Sequence, residues 1–205
     1  MAAMSQQVRH FPRGLTIGLF GGSFDPPHDG HRQVSLTALN RLGLDYVWWL
    51  VSPQNPLKAR APDTIAGRLA AAQKLARHPH IHVSDPETAL GTRYAIDTVR
   101  ALKARNLGVQ FIWLMGADNF ATLHHWRDWQ ALMAEVPIAV YPRPGHTLRA
   151  MTGMAATRFA QYRHATQMAS AFKHYRAPGW ILLQGRLNHA SSTALRHNRD
   201  RQKAD

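Results

Sequence analysis

The feature that most constrains the fold is the alternation, along nearly the whole chain, of short apolar runs with longer amphipathic stretches. The candidate strands are rich in β-branched and aromatic residues: Leu15–Phe20, Tyr46–Val51, Ile81–Ser84, Val109–Met115, Pro137–Tyr141 and Trp180–Leu183. The candidate helices are His28–Leu42, Thr64–Arg77, Tyr94–Arg105, a piece within Phe120–Ala134, a longer one within Thr152–His174 and a short one from Ser192. This order predicts an α/β fold, with a parallel sheet that carries helices on both faces.

Two further expectations follow from the pattern. Asp63 is the expected N-cap of the second helix, whose Ile65, Leu69 and Ala72 repeat at helical spacing. Ligands of such sheets bind at the carboxyl ends of the strands, where loops meet the N-termini of helices. The residues that follow the strands are therefore the candidates for function.

Length and composition exclude several classes of protein. A chain of 205 residues predicts one domain over 1–205, with tails at about 1–13 and 198–205. The absence of cysteine excludes disulfides, cysteine-based zinc or iron–sulfur sites, and thiol catalysis. The longest strongly apolar run, Tyr46–Val51, is too short to span a bilayer, and the N-terminus lacks the apolar core of a secretory signal. We expect a soluble cytoplasmic protein.

The net charge of +13 is placed unevenly. Positions 136–199 contain no Asp or Glu, and their basic residues are Arg143, Arg149, Arg158, Arg163, Lys173, Arg176, Arg186, Arg196 and Arg199. Such a field attracts polyanions, whether nucleic acid, an anionic membrane or a phosphorylated small molecule. Charge alone does not choose among these, and a solvated basic surface is the simplest interpretation.

The strongest local signal is the loop after the first strand, Gly-Gly-Ser-Phe-Asp-Pro-Pro-His-Asp-Gly-His over 21–31. Gly21 and Gly22 permit a sharp turn and close approach of the backbone to a ligand. Pro26 and Pro27 suit the entry of a helix, whose free N–H groups favour a phosphate. His28 and His31 lie three residues apart, so a helix that begins here places both imidazoles beside that phosphate. A lone His-x-x-His would favour incidental surface histidines, but the whole string does not.

This string resembles the signature of the nucleotidyltransferases that carry His-x-Gly-His, and most closely that of bacterial nicotinate-nucleotide adenylyltransferases. The resemblance covers about residues 15–197. It implies a Rossmann-like, doubly wound parallel sheet flanked by helices. It also implies transfer of AMP from ATP to nicotinic acid mononucleotide, giving deamido-NAD and pyrophosphate. His28 and His31 are then catalytic, and Gly21, Gly22, Ser23 and Phe24 bind substrate.

A second motif, Ser-Ser-Thr-Ala-Leu-Arg, occupies 191–196. Ser191 or Ser192 is a good N-cap for a short helix, and its hydroxyls and N–H groups, with Arg196, could hold a di- or triphosphate. The alternative is an ordinary capped C-terminal helix. The motif is similar to Ser-Ser-Thr-x-Ile-Arg of the same family. The resemblance implies that Ser191, Ser192 and Thr193 bind the phosphates that leave as pyrophosphate, and that Arg196 is a catalytic residue that holds them.

A third motif follows the strand Val109–Met115 and contains Gly116, Asp118 and Trp126. Gly116 permits close approach, Asp118 can accept hydrogen bonds from ribose hydroxyls, and Trp126 offers a flat surface for a planar ring. The alternative is a helix-capping Asp and a core Trp. In the family that the chain resembles, this pattern implies contacts to the ribose and the pyridine ring of the acceptor.

Three weaker motifs follow other strands. The resemblance implies that Arg143, in the turn Tyr-Pro-Arg-Pro-Gly, lies near adenine. It implies that Lys58 approaches a phosphate, although Leu57 stands where the family usually has His. It implies that Ala95 lies near the nicotinate, where the family has Thr. The alternatives are a rigid Pro/Gly turn for Arg143 and a solvated loop lysine for Lys58.

The resemblance also sets the expected partners. These are ATP and nicotinic acid mononucleotide, with Mg²⁺ as the cofactor that accompanies ATP and with no nucleic acid or membrane. No protein metal site is predicted, since the alternating His78, His80 and His82 have only Asp85 and Glu87 nearby and suit a solvated strand entry. The alternatives are a sister enzyme, such as a pantetheine-phosphate adenylyltransferase, and a basic nucleic-acid-binding protein without catalysis.

Overall fold

The computed structural model describes residues 8–53, 63–186, 188, 192, 195 and 196. These residues form a parallel sheet with the strand order β3-β2-β1-β4-β5-β7-β6. The strands are β1 (Thr16–Gly22), β2 (Tyr46–Val51), β3 (Ile81–Ser84), β4 (Gln110–Gly116), β5 (Ile138–Tyr141), β6 (Arg163–His164) and β7 (Trp180–Leu182). The predicted Rossmann-like α/β fold is confirmed, since the order reverses between β1 and β4 as it does in doubly wound sheets.

Helices cover both faces of this sheet. They are α1 (Asp29–Leu42), α2 (Ile65–Ala76), α3 (Pro86–Leu90), α4 (Ala95–Arg105), α5 (Ala117–Ala121), α6 (Trp129–Glu135), α7 (Thr147–Met151), α8 (Met154–Arg158) and α9 (Ala169–Phe172). Short 3₁₀ turns lie at Leu123–His125, Ala160–Tyr162 and Thr166–Met168. Ser192, Leu195 and Arg196 are helical, in agreement with the short helix predicted from Ser192. Within the described part of the chain, no helix is long and apolar enough to cross a bilayer.

The two faces of the sheet build separate apolar clusters. Successive residues of a strand point to opposite faces, so Trp48 packs in one cluster and Trp49 in the other, and both are fully buried. Each indole N–H is satisfied, Trp48 Nε1 by Ser84 Oγ at 2.8 Å and Trp49 Nε1 by Ser35 Oγ at 2.7 Å. The continuous apolar runs of the strands follow from burial on both faces.

Three local expectations were wrong. Residues 152–174 do not form a longer helix but break into α8, 3₁₀ turns, the edge strand β6 and α9. Helix formation depends on a continuous apolar face, and this segment buries mainly Ala155, Ala156, Ala169 and Phe172, which form no such stripe.

The second concerns α2. Its N-cap is Thr64 rather than Asp63, because the Thr64 hydroxyl accepts a hydrogen bond from the Gly67 N–H.

The third concerns the N-terminal segment, part of which packs on the fold although 1–13 was expected to be a tail. Phe11 is buried, and its ring lies edge-on to Trp48 with the centroids 5.3 Å apart. Its N–H donates to Asn106 Oδ1 at 2.8 Å, which satisfies the amide at a buried position.

Candidate functional site

A cavity of about 520 Å³ opens at the carboxyl ends of β1 and β4, where the strand order reverses. This is the position at which doubly wound sheets bind ligands. The predicted site residues that line it are Gly21, Gly22, Ser23, Phe24, His28, His31, Ala95, Gly116, Asp118, Trp126, Arg143 and Ser192. A second cavity, of about 480 Å³, lies along the outer side of α1 and contains none of the predicted site residues. The first cavity is therefore the candidate active site.

Four predicted site residues are not among those lining the cavity. Arg196 lies next to it and is described below. Lys58, Ser191 and Thr193 lie outside the described residues.

Gly21 and Gly22 do not form a turn; because they lack side chains, they leave room for neighbouring aromatic rings. Both are the last residues of β1, and neither has a positive φ. A Cβ at Gly21 would lie 2.8 Å from the Trp113 ring, and one at Gly22 would lie 3.3 Å from the Phe24 ring. The prediction of a sharp turn at these two glycines is therefore wrong. The glycines instead let two aromatic side chains pack against the backbone of the cavity wall.

The turn falls two residues later, at Phe24, which has a φ of +45°. This left-handed conformation is strained for a residue with a side chain, at a cost of roughly 1–3 kcal/mol. The ring is fully buried and stacked on Trp49, with the centroids 4.8 Å apart and the planes at 10°. That packing holds the loop in the shape that brings His28 to the start of α1.

The two histidines are held against each other at the N-terminus of α1. Helix α1 begins at Asp29, one residue later than predicted, so His28 is its N-cap and His31 stands in its first turn. The ring centroids lie 3.8 Å apart, and the backbone N–H of His28 donates to His31 Nδ1 at 3.1 Å. Because Nδ1 accepts this bond, the proton of a neutral His31 ring is on Nε2. His31 is thus prepared to donate a hydrogen bond from Nε2.

Burial fixes the charge state of His28. Its Nδ1 has no hydrogen-bond partner among the described residues. Burial, and then the positive charge of Arg143, lowers the pKa of His28 to about 4. His28 is therefore neutral at neutral pH, a point that the sequence alone left open. The fixed positive charge beside it comes from Arg143.

Arg143 reaches the cavity from the loop after β5. Its Nε lies 3.6 Å from Asp118 Oδ1, and its side chain is mostly buried. Its backbone N–H donates to Thr147 Oγ1 at 3.0 Å at the start of α7. A Cβ at Gly116 would overlap the Asp118 carboxylate and lie 3.1 Å from Arg143 Nε. Gly116 is therefore the residue that allows this ion pair at the end of β4.

The opposite end of the cavity is aromatic. The rings of Trp113 and Trp126 meet edge to face, with the centroids 6.4 Å apart. Ala95 opens helix α4 next to its N-cap Tyr94, so the free N–H groups of that helix start beside the Trp126 wall. Trp126 is half-buried. It combines an exposed ring face with a fixed orientation, as a platform for a planar ring requires.

The C-terminal helix is tied to the first loop. Ser192 Oγ donates to the Pro26 carbonyl at 2.9 Å, and Arg196 donates to the Asp25 carbonyl. These bonds place the two residues beside the turn that presents His28. They bring together two motifs that lie at opposite ends of the sequence.

Sequence reasoning missed Arg68, a buried arginine of α2. Its guanidinium donates to the carbonyls of Ser23, Ser52 and Pro53 at 2.6, 2.7 and 2.8 Å, and its Nε donates to the backbone carbonyl of Asp63 at 2.8 Å. Burial lowers its pKa from the ordinary value. The signal was present, since Arg68 lies between Ile65 and Leu69 on the face of the helix where the apolar residues repeat.

Sequence reasoning also missed Glu87 of α3 as a wall residue of the cavity. The carboxyl is buried, and its Oε2 has no hydrogen-bond partner among the described residues. Burial raises the pKa of Glu87 to about 7, and the hydrogen bond to Ser52 opposes that rise. The site therefore includes a carboxyl group that is largely protonated below neutral pH.

We expect Glu87 to make the protein less stable as the pH rises. The pKa of Glu87 is higher in the folded protein than in the unfolded chain, so the folded protein holds the carboxyl proton more tightly. This contribution to the free energy of unfolding is lost as the pH rises towards 7. Between pH 5 and 8, the free energy of unfolding of the wild type should fall relative to Glu87→Gln by roughly 2–3 kcal/mol. Urea unfolding of both proteins across that range measures the difference.

Glu135→Gln is the matched control for this prediction. Glu135 accepts a hydrogen bond from Lys103, which lowers the pKa of that carboxyl below its ordinary value, so its stabilising effect is already complete above that value and the difference between wild type and Glu135→Gln should stay nearly constant between pH 5 and 8. A difference between wild type and Glu87→Gln that does not change with pH would contradict the prediction.

The three alternating histidines do not all lie on one strand. Only His82 lies in β3, where its Nδ1 accepts a hydrogen bond from Arg9 at 3.0 Å, while His80 Nδ1 contacts the Asp45 carbonyl at 2.8 Å. Burial lowers the pKa of His82 to about 4. Among the described residues, no group of three or more His, Cys, Asp or Glu side chains is placed to hold a metal ion.

The chain matches a family model and many named proteins. The model is cytidylyltransferase-like and matches residues 19–198. A Caulobacter protein with the name "Probable nicotinate-nucleotide adenylyltransferase" is 52% identical over 183 residues, which cover 89% of this chain and 97% of the relative. A Rhizobium meliloti protein of the same name is 47% identical over 185 residues, with the same coverage of both chains.

Solved structures share the fold at lower identity. The Plasmodium falciparum nicotinic acid mononucleotide adenylyltransferase complexed with NaAD has a TM-score of 0.66 and 15% identity, and covers 89% of this chain and 83% of its own. A Vibrio parahaemolyticus structure described as a "Putative Nicotinate-nucleotide Adenylyltransferase" has a TM-score of 0.51 and 18% identity, and covers 80% of this chain and 94% of its own. At these identities the likeness concerns the fold alone.

Proposed function

The chain belongs to the cytidylyltransferase-like family, and we infer that it is an enzyme that transfers AMP from ATP to nicotinic acid mononucleotide. The products are deamido-NAD and pyrophosphate, in the biosynthesis of NAD. Relatives that are named for this activity match this chain over nearly their whole length. The observation that carries the proposal is the cavity at the β1–β4 reversal, which joins a histidine-bearing helix N-terminus to an aromatic wall.

The reaction needs no covalent enzyme intermediate. An oxygen of the acceptor phosphate attacks the α-phosphorus of ATP, and the bond to the α–β bridging oxygen breaks. Its electron pair leaves with pyrophosphate. The attacking phosphate is already an anion, so no strong base is required. The protein is left to position the two substrates and to stabilise the charge that develops on the α-phosphate.

In this proposal, the start of α1 holds the α-phosphate. His31 donates from Nε2, His28 donates as a neutral imidazole, and the N–H groups of the first turn add to the positive end of the helix. The backbone of Gly21, Gly22, Ser23 and Phe24 closes around the phosphates. Arg143 supplies a fixed positive charge near His28, and adenine lies on its side of the cavity.

The departing pyrophosphate is assigned to the C-terminal motif. Ser192 and Arg196 lie beside the first loop through their bonds to Pro26 and Asp25, and the Arg196 fork matches phosphate oxygens. Ser191 and Thr193 would add hydroxyl donors, and Lys58 would approach a phosphate from the loop after β2. Basic residues of the acid-free segment would steer both polyanionic substrates towards this site.

The acceptor nucleotide is assigned to the other half of the cavity. Asp118 accepts from the ribose hydroxyls, Trp126 stacks on the pyridine ring, and the Ala95 turn borders the ring. Ala95 contributes backbone here, because its side chain has no polar atom. Support for this division is the continuous path from Gly21 along Trp113 to Trp126.

Mg²⁺ is proposed to enter with ATP, bound to the phosphates. The carboxylates of the described cavity wall are Asp118 and Glu87. Asp118 faces Arg143, and burial raises the pKa of Glu87 to about 7, so we assign neither to a protein cage for a divalent ion. When bound there, the ion would supply positive charge to the leaving pyrophosphate. A cytoplasmic location remains a prediction from the sequence.

A panel of acceptors tests the function. We expect pyrophosphate release from Mg-ATP with the highest kcat/KM when nicotinic acid mononucleotide is the acceptor, compared with nicotinamide mononucleotide and phosphopantetheine. Reactions without acceptor or without protein give the background. Release with phosphopantetheine alone would favour the sister enzyme. Release with no acceptor of the panel, together with salt-sensitive retention on DNA, would favour the nucleic-acid-binding alternative.

A further inference from the structure

Arg127 extends the aromatic wall of the cavity by one residue. It follows Trp126 directly and lines the cavity, although its side chain is 61% exposed. Its guanidinium lies over the Tyr94 ring, 4.7 Å from the ring centroid, and its Nε lies 3.5 Å from Asp128 Oδ2. No step of the proposed reaction uses this positive charge.

The position of Arg127 separates it from the phosphate end of the site. At that end, Arg143 lies near His28, and its ion-pair partner Asp118 borders the acceptor half of the cavity. Trp113 lies between the two ends, because its ring is against Gly21 on one side and edge-on to Trp126 on the other. A cation beyond Trp126 is therefore placed to meet the far end of the acceptor, where the pyridine ring carries its substituent.

That substituent is the whole chemical difference between the two pyridine mononucleotides. Nicotinate carries a carboxylate, whereas nicotinamide carries a neutral amide. An arginine fork matches a carboxylate through two parallel charge-assisted hydrogen bonds, and it gains no comparable interaction with an amide. Resting on the function proposed above, we propose that the Arg127 side chain binds the nicotinate carboxylate and sets the preference for nicotinic acid mononucleotide over nicotinamide mononucleotide.

Tyr94 and Asp128 hold the guanidinium in this place. Cation–π contact with the Tyr94 face restrains Arg127 over the turn that opens α4, where Ala95 also lines the cavity. The hydrogen bond to Tyr94 raises the pKa of Arg127, so its charge is permanent. A side chain restrained before binding loses less conformational entropy when the carboxylate arrives.

We expect Arg127→Gln to lower kcat/KM for nicotinic acid mononucleotide by about 10- to 30-fold, chiefly through KM. Loss of a charge-assisted hydrogen bond at a site fully excluded from water would lower kcat/KM by a larger factor, and the exposure of Arg127 to solvent reduces that factor here. With nicotinamide mononucleotide the variant should stay within about twofold of the wild type, since the amide gains no charge-assisted bond. Arg127→Lys, which keeps the charge, should recover part of the loss.

Two matched variants identify the source of the effect. Arg100→Gln removes an exposed arginine that pairs with Glu135 outside the cavity, and should leave both acceptors unchanged. Arg93→Gln removes the other exposed arginine of this wall, which is the alternative partner for the carboxylate. A preference that falls in Arg93→Gln but not in Arg127→Gln would overturn the proposal.

The remaining outcomes separate this inference from the function itself. Absence of turnover of nicotinic acid mononucleotide by the wild type would contradict the proposed function. A wild type that prefers nicotinate, with an Arg127→Gln variant whose ratio of the two kcat/KM values is unchanged, would overturn only the role of Arg127. An equal loss with both acceptors would likewise assign Arg127 to the shape of the wall and overturn its role in specificity.

Discussion

Replacement of His31 by asparagine is expected to lower kcat by about 10²- to 10³-fold, the usual cost of one well-placed donor to a developing charge. The side chain makes two separable contributions. Nδ1 accepts the His28 N–H at 3.1 Å, which supports the loop, and Nε2 carries the proton that is donated to the α-phosphate. The asparagine carbonyl can replace Nδ1 as an acceptor, but nothing replaces Nε2. The variant should fold and bind substrates yet turn over slowly.

Comparison of three variants tests that division. His31→Gln places its amide nearer the Nε2 position and should recover part of kcat, while His31→Ala should lose both contributions and some stability. His10→Asn is the control, because His10 is exposed and lies outside the cavity, where its Nδ1 contacts the Arg105 carbonyl. Steady-state kinetics with thermal unfolding give both readouts. A His31→Asn variant with more than about a tenth of the wild-type kcat would contradict the assigned role.

The sequence predicted the sheet better than the connections. Each predicted strand is present within two residues of its predicted ends, because a run buried on both faces, such as Tyr46–Val51, leaves few other structures. The segment 152–174 was predicted wrongly because it is interrupted where Arg163 and His164 pair with β7, a contact that no local pattern encodes. Long-range contacts override helix propensity in such places.

The residues of the candidate site also fall into those that the sequence predicted and those that only the structure revealed. Residues in strings at fixed spacing, such as His28 and His31 or Asp118 and Trp126, were found because the string follows a strand. The structure then brings these strings into one cavity. Glu87 and Arg127 were not found, because their importance depends on burial and on a neighbour from another element, Ser52 for the first and Tyr94 for the second.

Arg68 is the residue outside the reaction whose loss should cost most. Arg68→Met keeps the apolar stem but leaves the part-buried carbonyls of Ser23, Ser52 and Pro53 without this donor. A fully buried unsatisfied acceptor costs about 1–3 kcal/mol and these part-buried ones cost less each, so we expect the free energy of unfolding to fall by about 2–4 kcal/mol. Arg68→Lys should be intermediate, since one ammonium cannot reach all three carbonyls in the geometry of the guanidinium.

The same substitution separates a positioning role from a purely stabilising one. Ser23 belongs to the loop that carries His28, and Ser52 hydrogen-bonds Glu87, so loss of Arg68 should loosen two walls of the cavity at once. Leu69→Ala is the control, because Leu69 is the next residue of α2, is buried, and should cost a similar 2–5 kcal/mol or so without touching either loop. At a temperature where both variants stay folded, Leu69→Ala should keep its kcat/KM while Arg68→Met loses about tenfold or more, since small displacements of catalytic groups are costly. Equal kcat/KM in the two variants would contradict the positioning role and show that Arg68 only stabilises the fold. The stacking of Phe24 on Trp49 would then be sufficient to hold the loop.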